Sequence, residues 1–368
     1  MVVHTLQKTM THKLLRLSGI VLLSCFSLVA CDGDAPPAST SAPTSPTPTA
    51  TSSNRLAIIK QRGKLVCGVS GELPGFSFVD AQGNYAGLDA DLCRAVATTL
   101  FNDPNAVEFR NLNAKERFLA LQTGEVDLLS RNTTLTMSRD TNLGITFAPV
   151  VFYDGQAVMV RQSSGITKLA DLAGKSVCMQ AGTTNEQNFT DQMRTLNAAF
   201  TPVVFEDVNT TFATYSEGRC DAVTADRSQL VSRRQTLPNA AQNIILPEVF
   251  SKEPLAPAVI ANDPAWSNTV RWTIYALINA EELGITQANL SQQLQSPNPN
   301  VRRFLGVEGE LGQGLGVAPD FVANIIKAVG NYGEIYERNL GRQTPLKLER
   351  GQNNLWTKGG LMYSPPFR

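Results

Sequence analysis

From residue 64 onward, short apolar runs alternate with stretches of helical periodicity. Lys64 to Val69 reads as a buried strand, and Leu88 to Leu100 as an amphipathic helix entered through Gly87. Ser176 to Gln180 repeats the first pattern, and the turn Gly182-Thr183-Thr184 opens a helix running to about Leu196. Val126 to Leu129 and Cys220 to Val223 are further short strands. Ala256 to Ala261 predicts a strand that returns to the first half, and Trp266 to Glu282 a long helix. Strands alternating with helices imply an α/β fold with largely parallel sheets. In such sheets ligands gather at the carboxyl ends of strands.

The chain also echoes itself. Gly63-Lys64-Leu65-Val66-Cys67 recurs as Gly174-Lys175-Ser176-Val177-Cys178, and Phe118 to Asp127 (FLALQTGEVD) recurs as Phe212 to Asp221 (FATYSEGRCD). In each copy of the second segment a helical pattern stops at a glycine suited to a C-cap. Two echoes in the same order predict two α/β lobes of similar plan. Two crossings between them, near Val158–Val160 and Leu246–Lys252, would form a two-stranded hinge. A helix around Pro319–Val329 belongs to a C-terminal extension, expected to pack on the first lobe.

Before the lobes the pattern changes. Lys8, Lys13 and Arg16 precede an apolar run from Ile20 to Ala30, too short to span a bilayer and typical of an export signal. It ends in Leu28-Val29-Ala30-Cys31, which resembles the lipobox of bacterial lipoproteins, with Cys31 as the lipidated residue. Of the 23 residues from Asp32 to Asn54, 19 are Pro, Ser, Thr or Ala, the composition of an extended tether. The expected layout is a signal over 1–30, a tether over 31–54, lobe 1 over 55–158, lobe 2 over 159–250, and a return with the extension over 251–368.

The formal charge of the whole chain is zero, and no basic surface points to nucleic acid. Cys67, Cys93, Cys178 and Cys220 remain after the signal, an even number that suggests disulfides in an exported chain; three pairings are possible. No CxxC occurs and both histidines lie in the signal, so neither a metal nor a cofactor is expected.

Several polar groups fall just past strand ends. The loop Ser130 to Arg139 is rich in hydroxyls, and Arg139 could grip a carboxylate through two parallel bonds. Gly182-Thr183-Thr184 offers helix N–H groups and hydroxyls, although Thr183 or Thr184 could simply cap the helix. Asp226 could meet an ammonium, or could cap the helix Arg227 to Arg233. Phe76 and Phe78 could form a side-chain wall or belong to the core.

The order of these segments resembles the extracytoplasmic solute-binding proteins of polar-amino-acid ABC importers (bacterial solute-binding protein family 3), especially the general L-amino-acid-binding group. The resemblance rests on Gly83 to Leu92 (GNYAGLDADL), Lys115-Glu116-Arg117-Phe118 through Arg139, Gly182-Thr183-Thr184, Gly218-Arg219-Cys220-Asp221, and Ser251-Lys252-Glu253-Pro254-Leu255. It implies a type II periplasmic-binding-protein fold with the ligand in the interlobe cleft. It assigns the α-carboxylate to Arg139, helped by Thr134 and Thr184. It assigns the α-ammonium to Asp226, with Asn132 and Thr133 nearby and Phe76 lining the cleft. It favours the pairs Cys67–Cys93 and Cys178–Cys220. Leu73-Pro74-Gly75 stands where narrow-specificity relatives often carry a second aromatic, which leaves specificity open.

The expected function is non-enzymatic. A monomeric, membrane-anchored extracytoplasmic receptor would close on a free L-amino acid and present it to a membrane permease. Rival readings are a same-fold enzyme such as a cyclohexadienyl dehydratase, a ligand-sensing subunit, and a binder of another small anion. The enzyme requires a positioned general acid, and no histidine follows the signal.

Overall fold

Two five-stranded sheets organise the protein, and each is built on one copy of the internal echo. The structure, a computed structural model, describes residues 54–368. The expected signal, Cys31 and the tether as far as residue 53 lie outside the described residues. Among the described residues no helix is long and apolar enough to cross a membrane.

In the first sheet the order is Val107–Asn111, Leu65–Val69, Leu128–Leu129, Ala258–Ile260, Ile145–Phe147. In the second it is Thr201–Phe205, Ser176–Gln180, Ala222–Asp226, Gln156–Arg161, Asn243–Ile245. The echoed strands Leu65–Val69 and Ser176–Gln180 hold the same place. Each pairs in parallel with its neighbours on both sides. The fourth strand of each sheet is antiparallel to the third, so the sheets are mixed.

The second echo has a physical purpose. Its terminal aspartate closes a reciprocal bond with the first strand of its own sheet. The Val66 N–H donates to Asp127 at 2.7 Å, and the Asp127 N–H returns to the Val66 carbonyl at 2.8 Å. The Ser176 N–H donates to Asp221 at 2.8 Å, and the Asp221 N–H to the Ser176 carbonyl at 2.9 Å. Each lobe also carries one disulfide, Cys67–Cys93 in the first and Cys178–Cys220 in the second.

The crossings differ in position from the sequence expectation. Val158–Val160 lies inside Gln156–Arg161, a strand of the second sheet buried from Gln156 to Val160, not in the hinge. The hinge pair is Phe152–Asp154 against Glu253–Leu255, antiparallel. An apolar run reads alike whether it crosses between lobes or fills one of them. Gly155 marks the bend, because a Cβ there would collide with Val249 and the Ser251 carbonyl.

The C-terminal extension shares the first lobe's core. Phe321, Val322, Ile325 and Ile326 from the Phe321–Val329 helix join Leu65, Leu92, Val96 and Trp266 in one apolar cluster. Beyond it, the Tyr332 hydroxyl donates to the Val151 carbonyl at 2.7 Å. Asn353 clamps Tyr153 from both sides, accepting from its N–H at 2.6 Å and donating to its carbonyl at 3.1 Å. The extension thereby fixes the first hinge strand to lobe 1.

The bridges span 26 and 42 residues, and loop closure of that length restrains the unfolded chain by about 3.5–4 kcal/mol each. Cys67→Ala/Cys93→Ala is therefore expected to lose stability of that order in urea unfolding. An unchanged midpoint contradicts it.

Candidate ligand-binding cleft between the lobes

The site begins with the loop after Leu128–Leu129, which Asp89 holds from below. The Asn132 N–H donates to Asp89 at 3.0 Å and the Ser130 hydroxyl at 3.3 Å. This grip keeps Asn132 in a left-handed backbone conformation (φ 32°) and aims the following threonines at the second lobe. Asp89 reaches the loop because its helix starts at Gly87 (φ 124°), where any Cβ would strike the Phe76 carbonyl. Burial pushes the Asp89 carboxyl up to about 6, against the loop's own hydrogen bonds.

The second lobe supplies the helix Thr184–Thr195 and the strand end at Asp226. Thr183 caps the helix, accepting from the Glu186 N–H, so its capping role holds. Asp226 occupies the cap position of Arg227–Arg234, yet its side chain makes no capping bond. Instead it turns inward and accepts from the Asn185 amide at 2.8 Å. Asp226 is 4% exposed. Burial raises its carboxyl well above the usual range, reinforced by the nearby Asp154 and Glu253 and opposed by Asn185 and Arg117.

Between the lobes lies a narrow cavity, about 410 Å³ with the open space at its mouth included. Of the residues named from the sequence, Asn132, Thr134, Thr183, Thr184 and Asp226 line it. Four expected residues are not on its wall; one, Phe78, is exposed on the short strand Ser77–Val79. Thr133 stands behind it and accepts from Arg117 at 3.3 Å. Arg139 donates to the Thr134 carbonyl at 2.8 Å and lies 5.2 Å from the centre of the Phe118 ring. Phe76 is 1% exposed and packs edge-on against Phe152 in the first lobe's core. The turn closed by the Phe76 N–H on the Leu73 carbonyl tucks it under, and Leu73 takes the place on the cavity wall.

Sequence reasoning assigned no role to four residues that build the site. Arg117 is 3% exposed, lines the cavity, and has a buried Nε without a protein partner. Burial and the neighbouring Arg131 and Arg139 push its guanidinium well below the usual range. Arg131 also lines the cavity, its Nε donating to the Leu112 carbonyl at 2.7 Å. Arg233 is the third cation on the wall.

Glu253, from the hinge, is 1% exposed. One of its oxygens accepts from Thr134 at 2.6 Å and Thr184 at 2.8 Å, the other from Asn188 and Ser251, each at 2.7 Å. A hydroxyl has a single proton, so Thr134 and Thr184 offer lone pairs, not protons, to anything in the cavity while Glu253 holds them.

A cleft of this build, between two lobes with sheets of matching order, agrees with what the chain is similar to. Residues 65–289 match the model of the bacterial extracellular solute-binding proteins, family 3. The chain belongs to that family. It is 52% identical to the general L-amino acid-binding periplasmic protein AapJ of Rhizobium johnstonii over 321 residues, covering 87% of this chain and 94% of that protein. It is 47% identical to the glutamate/glutamine/aspartate/asparagine-binding protein BztA of Rhodobacter capsulatus, covering 87% and 95%. An ABC transporter/periplasmic binding protein from Brucella ovis with glutathione bound superposes with a TM-score of 0.84 at 49% identity, covering 86% of this chain and all of that one. An alignment of 321 residues cannot fit within residues 1–289, so the AapJ match includes part of the C-terminal extension.

Removing Glu253 strands buried donors from both lobes. Glu253→Ala is expected to cost about 2–3 kcal/mol in urea unfolding, with Glu253→Gln costing less because it keeps one acceptor oxygen. Equal stability of all three proteins contradicts the cross-lobe role.

Proposed function

We propose that this protein is the extracytoplasmic binding component of an amino-acid ABC importer, taking free L-amino acids of several kinds in the interlobe cleft. The observation that carries the proposal is Asp226: a buried carboxylate at a helix cap that leaves the helix uncapped and faces a cavity with arginines on its wall. An α-ammonium supplies the positive partner that this carboxylate lacks. The α-carboxylate goes to Arg117 on the cavity wall, with N–H groups at the start of Thr184–Thr195, and to Arg139, which the family resemblance assigns and which reaches it by leaving the Thr134 carbonyl. Thr134 and Thr184, joined through Glu253, orient the ligand from both lobes. The names of AapJ and BztA, one general and one naming acidic and amide amino acids, support a broad range. Arg117 and Asp226 come from different lobes, so a ligand touching both favours the closed form by its differential contacts.

In this proposal residues 55–154 and 253–368 move as one body against 156–252, bending near Gly155; the boundary expected at 158 moves back because Gln156–Arg161 belongs wholly to the second sheet. The chain acts as a monomer, held at the membrane by lipid on Cys31, and delivers its ligand to a permease without chemical change.

Three outcomes test the function. A saturating amino acid, at about a hundred times its dissociation constant, adds roughly 2.7 kcal/mol to stability. A thermal-melting screen over the twenty amino acids should thus raise Tm for several, and no shift with any of them sinks the proposal. Arg139→Ala should weaken binding of every amino acid at least tenfold by calorimetry, because the α-carboxylate is common to all; an unchanged constant removes Arg139 from the site. The ammonium needs Asp226 ionised, whereas burial raises the carboxyl of the empty protein. Binding therefore releases protons wherever the empty protein holds Asp226 protonated, and affinity falls as pH drops through the raised value. Calorimetry in two buffers of different ionisation heat reads the release, and Asp226→Asn should abolish it along with most affinity. Proton uptake on binding contradicts the assignment.

A further inference from the structure

The amino-acid function leaves one buried cation unexplained. Arg233 sits on the Arg227–Arg234 helix, is 6% exposed, and lines the cavity. Its Nη1 donates to the Asn209 side-chain oxygen at 2.7 Å, and its guanidinium lies 5.6 Å from the centre of the Phe212 ring. Its Nε and Nη2 are buried and have no hydrogen-bond partner. Among the described residues it makes no ion pair. The carboxylates that act on it through space, Glu72 and Asp207, make their hydrogen bonds elsewhere, Glu72 with the Asn209 amide at 2.9 Å and Asp207 with the Thr210 N–H at 2.6 Å. Because Asn209 donates to Glu72 and accepts from Arg233, its amide is locked and holds the guanidinium in one orientation.

Two more facts give this cation a direction. Asp226, Gln229 and Arg233 all line the cavity, and their spacing of three and then four residues puts them in one row along the helix. Seven residues separate the ends of the row, about 10 Å of helix rise, which long side chains shorten from both ends. A ligand whose ammonium rests on Asp226 therefore runs along the row toward Arg233. Of the three arginines on the cavity wall, Arg117 is faced by Asp226 and Glu253 and Arg131 by Asp89, whereas Glu72 and Asp207 act on Arg233 only through space, with no hydrogen bond to it.

We propose that Arg233 is a second anion subsite that reads a carboxylate on the ligand's side chain, so that the cleft distinguishes acidic amino acids from their neutral counterparts. The inference rests on the amino-acid function above. The paired donors Nε and Nη2 form one edge of the guanidinium, the edge that grips a carboxylate through two parallel bonds. With a neutral ligand, water fills that end of the cleft, so neutral amino acids still bind.

The test compares L-glutamate with L-glutamine, near-isosteres that differ by the charge, and with L-alanine, by calorimetry on the exported chain. Arg233→Met should weaken L-glutamate by roughly 10- to 150-fold, the range for a lost charge-assisted bond, and change L-glutamine and L-alanine by less than about threefold. Arg233→Lys keeps the charge without the fork and should fall between wild type and Arg233→Met for L-glutamate alone. Melting of each ligand-free variant shows whether it is folded, and if Arg233→Met is not, the Arg233→Lys comparison decides. Equal losses for glutamate and glutamine, or no loss for either, overturn the subsite while leaving the amino-acid function standing. If the wild type binds none of the three, the failure lies in that function, and the subsite falls with it.

Discussion

One buried carboxylate holds the site together. Glu253 leaves the hinge with both oxygens hydrogen-bonded, one to Thr134 of the first lobe and Thr184 of the second, the other to Asn188 and Ser251. A charge buried this deeply persists only when its lone pairs are met, so the hydroxyl loop and the start of the Thr184–Thr195 helix must approach together. Other contacts across the cleft follow that approach. The Ser232 hydroxyl donates to the Pro74 carbonyl at 2.8 Å, and Lys115 pairs with Glu206 at the rim. The rim pair is exposed and contributes little by comparison.

The hinge makes such an approach reversible in principle, and the C-terminal extension sets which side stays still. Tyr332 and Asn353 bond the backbone at Val151 and Tyr153, and the Tyr336 ring stacks on Phe152. That strand is fastened to lobe 1, and just past it, at Gly155, the absence of a side chain lets the two crossings run close. The burial of Phe76 against Phe152 belongs to the same arrangement.

Much of the architecture was legible because it repeats. The Gly-Lys-x-Val-Cys and Phe-to-Asp echoes mark equivalent strands, and the aspartate at the end of the second echo closes equivalent bonds in both sheets. Ala256 to Ala261 was legible as a strand returning to the first sheet, where Ala258–Ile260 now pairs. Legibility ended where burial depends on a partner distant in sequence. Ser251 to Leu255 was quoted only for its resemblance, and Glu253 is buried because the other crossing covers it. The helix Arg227–Arg234 is mostly polar, and nothing local reveals that its Gln229–Arg233 face meets lobe 1. Arg117 lies in a segment quoted only for its resemblance, and its place on the wall becomes visible when Gly182 arrives from the other lobe. Phe76 shows the converse: an aromatic past a strand end turns inward when a tight turn follows. Asp226 was undecided between cap and ligand, and it makes no capping bond.

The most direct measurement is a crystal structure of the exported chain with a bound free L-amino acid. The account predicts one molecule between the lobes, its ammonium within hydrogen-bond distance of the Asp226 carboxylate and its α-carboxylate on the guanidinium of Arg139 or Arg117. A ligand seated outside the interlobe cavity, or one with its carboxylate turned toward Asp226, contradicts it.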